Sequence, residues 1–447
     1  MNDSPPQQDI LRVRRGGPLR GRCVVPGDKS ISHRALLFGA LADGRVEIDG
    51  LGLGDDNAAT ARALVALGVP VRRDQGVAVV DGVGLDGLLA PAAPLDCGNS
   101  GTSIRLLCGL LAGRPFASTL TGDASLSRRP MGRLATPLRL MGAKLEGRSD
   151  PARPADVYPP LVIEGGALAG IAYDLPVASA QLKSALVLAG LQARGPTHLT
   201  EPGLSRDHTE RMLRALGAPI TVDPERRTVT VDPTGWNGRL RAGPIRVPGD
   251  LSSAAFIIVA ALVVPGSEVT VENVGLNPTR TGLLDVLLAM GADLEVAVTG
   301  DAMGEPVGWV RARAGRLRGV TVAGPLALRS IDEIPALAVA AAMAEGASRF
   351  ADLRELRIKE SDRIASLARE LGRAGRAVTE APDGFVVEGA ATPVRGGGVR
   401  PDHDHRIAMA GAVLGLCGEE ETTVPAVDIG TSFPTFAATL RALGADL

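Results

Sequence analysis

Apolar residues recur at i, i+3, i+4 and i+7 in one stretch after another along the chain. Each stretch stops at a glycine that follows an apolar residue and mostly precedes a small one, as Met212, Leu213 and Leu216 do ahead of Gly217. Such spacing predicts one apolar helix face, and a glycine just past its end suits the left-handed residue that closes a helix. A short run at 218–222 then predicts a strand. The closing glycine returns at Gly68, Gly142, Gly217, Gly291, Gly372 and Gly444. Near-equal intervals of roughly 75 residues mark six copies of one α/β unit.

A second repeat divides the six. Val25-Pro26-Gly27-Asp28 returns three units later as Val247-Pro248-Gly249-Asp250. The expected fold is therefore α/β, with two pseudo-symmetric domains of three repeated units each. The first domain is expected at 27–247 and the second at 1–26 with 248–447, the chain crossing near Pro26 and Pro248. A ligand cleft between them follows from this arrangement. At 447 residues and 45% hydrophobic content the chain is long enough for two cores, since single cores stop growing at about 250–300 residues.

Composition narrows the partners. Only 2% of residues are aromatic and the net charge is −2, so neither a stacking platform nor an extended basic surface for nucleic acid is expected. Attraction for an anion has to come from a local cluster. Residues 1–10 are polar and Pro-rich, without a basic segment followed by an apolar one, and no apolar run reaches the ~18 residues of a membrane span. A cytoplasmic protein without membrane association is expected. Cys23, Cys97, Cys108 and Cys417 form no C-x-x-C pair and read as buried small apolar residues. Of 48 Lys and Arg residues only Lys29, Lys144, Lys183 and Lys359 are lysine. Lysine is a compact point charge that Arg does not replace at a crowded site, so each one is informative, although Lys144 reads as an ordinary surface residue.

The candidate chemistry gathers at predicted helix starts. After Val25-Pro26-Gly27-Asp28 the chain reads Lys29-Ser30-Ile31-Ser32-His33-Arg34. Asp28 is placed to cap a helix whose apolar face includes Leu36, Leu37 and Leu41. Lys29, Ser30 and Arg34 crowd its first turns, where free N–H groups and the positive dipole end favour an anion. The second copy, Asp250-Leu251-Ser252-Ser253, lacks both cations. The charge is thus not needed to build the unit. The segment is not a P-loop, in which Gly directly precedes Lys.

Gly98-Asn99-Ser100-Gly101-Thr102-Ser103 is a small-residue turn into a helix at 104–111, whose amides can approach a phosphate or carboxylate closely. Ser127-Arg128-Arg129-Pro130 sets two guanidinium groups ahead of a proline-started helix. Ser179-Ala180-Gln181-Leu182-Lys183-Ser184 opens a helix with hydroxyl and amide groups suited to an oxygen-rich ligand or to capping. Ser330 and Glu333 have capping-box spacing, which assigns Glu333 to structure and leaves Asp332 as a candidate base. Lys359-Glu360-Ser361-Asp362-Arg363 precedes an amphipathic helix at 364–371, and Asp402-His403-Asp404-His405-Arg406 precedes an apolar helix from Ile407. Residues two apart do not share a helix face, so His403 and His405 argue for no metal, and Arg406 is the better anion contact.

Taken together, GDKSISHR, SRRPMG, SAQ, IDE, KESDR and DHR resemble the enolpyruvyl transferases, with the likeness running from Leu11 to Leu447. The wording is that of the branch acting on shikimate 3-phosphate, in aromatic amino-acid biosynthesis. The branch acting on UDP-N-acetylglucosamine, expected to carry GAKN and a catalytic cysteine loop, and a non-catalytic six-unit scaffold are the alternatives. The resemblance implies two inside-out α/β domains, no cofactor, no metal, and a monomer whose partners are the small molecules phosphoenolpyruvate and shikimate 3-phosphate. It implies that Lys29, Ser30, Arg34, Ser179, Ala180, Gln181, Arg206, Asp332 and Lys359 hold shikimate 3-phosphate. Lys29, Gly101, Arg129, Gln181, Arg363 and Arg406 would hold phosphoenolpyruvate, and Asp332, Glu360 and Lys29 would be catalytic. Many relatives place a lysine just before a C-terminal Thr-Phe-Pro. This chain has Thr431-Ser432-Phe433-Pro434 and lacks that cation. Gly101 lies where relatives insensitive to the inhibitor glyphosate carry Ala, which implies sensitivity here.

Overall fold

The structure, a computed structural model, describes residues 10–74, 76–154, 156–426 and 429–447. The expectation about a leader segment rests on residues 1–10, of which 1–9 lie outside the described residues. The described chain is α/β, and it divides into two units. One comprises Gly27–Val247 with Asp301–Glu305. The other comprises Pro248–Gly300 and Pro306–Leu447 with the segment ending at Pro26. The short stretch Asp301–Glu305 groups with the former because His208 Nδ1 lies 2.8 Å from Glu305 Oε1 and Arg211 Nη1 donates to Gly304 O at 2.7 Å.

One strand wiring recurs. Strand Asp43–Asp49 pairs in parallel with Ile245–Arg246 and antiparallel with Val77–Val83, which pairs antiparallel with Val71–Asp74. The sheets built on Ala117–Thr121 and Thr197–Thr200 repeat this order within the same unit. In the other unit Glu268–Gly275 and Gly346–Phe350 are the corresponding strands. A three-stranded version joins Thr422–Pro425 to Gly397–Gly398 in parallel and to Ile10–Val13 antiparallel.

Inside each unit lie helices that sheet alternation cannot produce. Leu251–Val263 (LSSAAFIIVAALV), Ile334–Ala342 and His405–Gly415 are buried at every residue, as sequences apolar on all sides must be. Lys29–Ala40, Gly101–Leu111 and Ala180–Gly190 play this part in the other unit. With so few aromatics, close approach does the packing. A Cβ on Gly109 would come within 2.1 Å of Ala185 O, so the helices Gly101–Leu111 and Ala180–Gly190 meet backbone to backbone.

Helix ends follow side-chain chemistry. Asp28, Ser100, Ser179, Asp250, Asp362 and Asp404 each accept a bond from a first-turn N–H. Gly68, Gly142, Gly217, Gly291 and Gly444 all have positive φ just past a helix. Each closes it with paired bonds such as Gly217 N to Arg214 O and Ala218 N to Leu213 O.

Three expectations are corrected. Gly372 does not end its helix, which runs through it to Arg373. The left-handed residue is Gly375 (φ 88°), and Arg376 N reaches back to Leu371 O. Three further residues therefore fit before the closing turn. Pro130 starts no helix, because Leu126–Arg128 is a 3-10 turn and the helix Gly132–Leu140 begins two residues later. Ser330 and Glu333 form no capping box. Ser330 ends the preceding helix Gly324–Arg329 and donates to Leu326 O, while the buried Glu333 accepts from Ser252 Oγ and lies 3.4 Å from Arg280.

Candidate active site

The expected site residues fall into two clusters, one in each unit. In Gly27–Val247, Asp28 accepts from Ile31 N and so leaves Lys29 and Ser30 at an open helix start. Lys29 Nζ lies 3.0 Å from Asp56 Oδ2, the two side chains being 19% and 11% exposed, and Asn57 Nδ2 donates to Lys29 O. Arg34 is deeper than its position in the motif suggests, at 2% exposure. Its Nε donates to Thr209 Oγ1, Nη1 to Ser30 O and Nη2 to Ser184 Oγ, at 2.7, 2.8 and 2.7 Å. Burial pulls its pKa down to about 10, against the pull of carboxylates led by Glu210, so it stays cationic at neutral pH. His33 is buried with Nδ1 2.8 Å from Thr60 Oγ1. Burial pushes its pKa down to about 3, which makes it neutral and removes it from proton transfer near pH 7.

Gly101 is the first residue of its helix, under the Ser100 cap. A Cβ there would meet Arg105 Nη1 at 2.7 Å and Arg129 Nη1 at 3.0 Å, so the missing side chain is what admits two guanidinium groups to the helix start. Arg105 Nη1 donates to Gly101 O and Gln181 Oε1, and Gln181 Nε2 donates to Thr102 Oγ1, all at 2.9 Å. Arg129 Nη2 donates to Asn99 Oδ1 at 2.5 Å. Ser103 Oγ, bonded to Thr60 Oγ1 at 2.6 Å and to Asp56 O at 3.4 Å, ties this helix to the one carrying Asp56. Ser179 caps the helix that carries Ala180 and Gln181, through Leu182 N. Arg206 is near enough to Arg34 for its charge to oppose that guanidinium's protonation.

The other cluster is built from the second unit alone. Asp332 Oδ1 lies 3.6 Å from Lys359 Nζ and 3.4 Å from Arg363 Nη1. Arg363 Nη2 is 2.7 Å from Glu360 Oε2, and its Nε is 2.7 Å from Asp404 Oδ2. Arg406 Nη1 donates to Asp332 O at 2.8 Å. Arg363 is 1% exposed. Burial works against its charge, yet Asp404, Glu360 and Asp332 together raise its pKa above the ordinary value. Burial likewise opposes ionisation of Asp404, and Arg363 outweighs it, holding the carboxyl below its usual range.

All five residues expected here, Asp332, Lys359, Glu360, Arg363 and Arg406, are thus linked. Sequence reading missed Asp56, Asp404 and Arg105. Asp404 caps the helix His405–Gly415 through Arg406 N and also accepts from Ser361 Oγ at 3.1 Å. Asp56 lies 27 residues from Lys29 and Asp404 41 residues from Arg363, so neither acid carries a local spacing signal. Lys144 pairs with Glu164 on the surface. Among the described residues no group of three or more His, Cys, Asp or Glu is arranged for a metal.

Comparison with known proteins shows the family. The family model for EPSP synthase (3-phosphoshikimate 1-carboxyvinyltransferase) matches residues 13–440. The chain belongs to the EPSP synthase family. A 3-phosphoshikimate 1-carboxyvinyltransferase of Synechococcus sp. (strain JA-3-3Ab) is 51% identical over 440 residues, 97% of each chain. That of Alkalilimnicola ehrlichii is 52% identical over 431 residues, covering 95% of this chain and 94% of its own. Among solved structures, EPSP synthase from Acinetobacter baumannii matches with a TM-score of 0.85 at 43% identity, covering 97% of this chain and 98% of its own.

The cysteines fit an EPSP synthase better than its amino-sugar counterpart, whose expected chemistry needs a reactive thiol. Cys97, Cys108 and Cys417 are buried and unpaired. Burial pushes Cys108 and Cys417 up to about 12 and Cys23 up to about 11. Near the C-terminus, Phe433 packs into the core 5.5 Å from Phe436, and no cation stands at 429–434.

Proposed function

We propose that the chain transfers the enolpyruvyl group of phosphoenolpyruvate to the 5-hydroxyl of shikimate 3-phosphate, releasing phosphate, and that the two clusters divide the work. This is the reaction of its family, in the shikimate route to the aromatic amino acids. The observation that carries the residue assignment is Arg363, buried among Asp332, Glu360 and Asp404 with Arg406 beside it.

Both substrates bear a phosphate and a carboxylate, so binding them together requires cations in a low-dielectric site. Arg363, Arg406, Arg129 and Lys29, with Gln181 and the Gly101 helix start, form the phosphoenolpyruvate set. Lys29, Ser30, Arg34, Ser179, Ala180, Gln181, Arg206, Asp332 and Lys359 form the shikimate 3-phosphate set. A substrate carboxylate that takes Arg363 displaces Glu360 and Asp332 from it, which frees two carboxyl groups for proton work as the ligand arrives. Asp332 then accepts the proton of the 5-hydroxyl as its oxygen attacks C2 of phosphoenolpyruvate. Glu360 delivers a proton to the methylene carbon and later removes one from the resulting methyl as phosphate leaves, with Lys29 sharing that duty. A monomer in the cytoplasm belongs to the same reading, supported by the family and by four unpaired cysteines.

Phosphate release from phosphoenolpyruvate, followed separately with shikimate 3-phosphate and with UDP-N-acetylglucosamine, tests the reading. Release only with the former is expected, and Glu360→Gln and Asp332→Asn should each depress kcat. Silence with shikimate 3-phosphate sinks the proposal.

A further inference from the structure

Of the four lysines, Lys183 is buried yet has no part in the reaction just described. It is 2% exposed, with Nζ 2.7 Å from Glu201 Oε2 and 2.7 Å from Glu210 Oε1. Burial opposes its charge, and the two glutamates, equally buried, raise its pKa above the ordinary value. Its neighbours in sequence explain what the triad touches. Ser184, the next residue, lies 2.6 Å from Thr209, the residue before Glu210. Helices Ala180–Gly190 and His208–Ala215 therefore meet through two adjacent rungs, Ser184 with Thr209 and Lys183 with Glu210.

The first rung carries Arg34, which donates to both hydroxyls at 2.7 Å. The second is locked from its far side by Glu201, which follows the strand Thr197–Thr200 and also accepts from Ser205 Oγ. Loop 202–207, which carries Arg206, is thereby tied at both ends to a single ammonium.

We propose that Lys183, bridging Glu201 and Glu210, is a positioning residue for the shikimate 3-phosphate half of the site, setting Ser184 and Thr209 against Arg34 and fixing the loop of Arg206. This rests on the assignment of Arg34 and Arg206 to that ligand. A bare electrostatic role is separable by sign. The triad carries one net negative charge, so deleting its charges should tighten binding of an anion through the field alone. Loss of positioning should weaken it.

The test is calorimetric titration of the full chain with shikimate 3-phosphate. Lys183→Met/Glu201→Gln/Glu210→Gln removes all three charges together at similar volume, so that no buried charge is left without its partner. The dissociation constant is expected to rise about tenfold while KM for phosphoenolpyruvate stays within about twofold. Glu210→Gln alone, which removes one charge and keeps an amide of the same size beside Lys183, serves if the triple variant does not fold, and should weaken binding about threefold. A folded variant that binds as tightly as wild type, or more tightly, overturns the inference and leaves the functional reading standing. A wild-type chain that takes up no shikimate 3-phosphate overturns that reading and the inference with it.

Discussion

Asp404→Asn probes the least exposed charge pairing of the second cluster. The substitution keeps an oxygen to accept from Arg406 N, so the helix cap survives, but it removes the charge 2.7 Å from Arg363 Nε. Stripping a buried charge of its only partner costs about 3–5 kcal/mol. Arg363 retains Glu360 at 2.7 Å and Asp332 at 3.4 Å, so the expected cost is about 2 kcal/mol, that of a charge-assisted hydrogen bond made neutral. For a domain of this size that lowers Tm by about 4–8 °C at pH 7. The pH dependence has a fixed sign. Arg363 holds the folded pKa of Asp404 below its ordinary 3.8, so the stabilisation is present above that value and is lost as pH falls through the folded pKa. Thermal unfolding of both proteins from pH 7 to pH 3 should therefore show a gap that narrows in acid. Kinetically, KM for phosphoenolpyruvate should rise about tenfold, since the guanidinium proposed to hold its carboxylate loses its anchor. Equal Tm at pH 7, or a gap unchanged down to pH 3, would refute the argument.

Lys29→Arg keeps the charge but cannot keep a compact ammonium 3.0 Å from Asp56, and kcat should fall about a hundredfold or more in the phosphate-release assay. Wild-type turnover would leave Lys29 a structural residue. Gly101→Ala puts a methyl 2.7 Å from Arg105 Nη1 and 3.0 Å from Arg129 Nη1. Both are ends of flexible side chains, so Tm should hold while KM for phosphoenolpyruvate and the inhibition constant of glyphosate both rise, and an unchanged inhibition constant counts against the steric account. Alkylation with iodoacetamide at pH 8 should leave Cys108 and Cys417, both pushed up to about 12, unmodified by mass spectrometry with activity intact. Rapid labelling of either with loss of turnover would reopen a thiol mechanism.

What could be read from the chain in advance was whatever is encoded locally. The Asp28 cap and the glycines that close helices depend on a few neighbouring residues, and α/β character follows from their repetition. Gly372 misled because the same local chemistry recurs three residues on at Gly375, and it is Gly375 that takes the left-handed conformation and closes the helix. Glu333 misled for a related reason. Its spacing from Ser330 suits a cap, but Arg280 and Ser252 claim it from elements far away in sequence. The partners of Lys29, Lys183 and Arg363 stayed hidden because Asp56, Glu201, Glu210 and Asp404 are brought to them only by folding. Arg34 was legible as a cation at a helix start. Its depth was not, since the hydroxyls that bury it come from two other helices.

The strand pairing has a consequence for synthesis on the ribosome. Arg20–Val24 finds its parallel neighbour only in Glu268–Gly275, and Ile10–Val13 waits for Thr422–Pro425. Residues 27–247, by contrast, contain every strand of their own sheets, Ile245–Arg246 closing against Asp43–Asp49. At ordinary translation speeds the first strand then hangs unpaired for on the order of ten to fifty seconds, and the other for longer, after a unit whose strands have all been made. Nascent-chain protection by holding chaperones should accordingly concentrate on the first two dozen residues and fade only as the last third of the polypeptide leaves the exit tunnel.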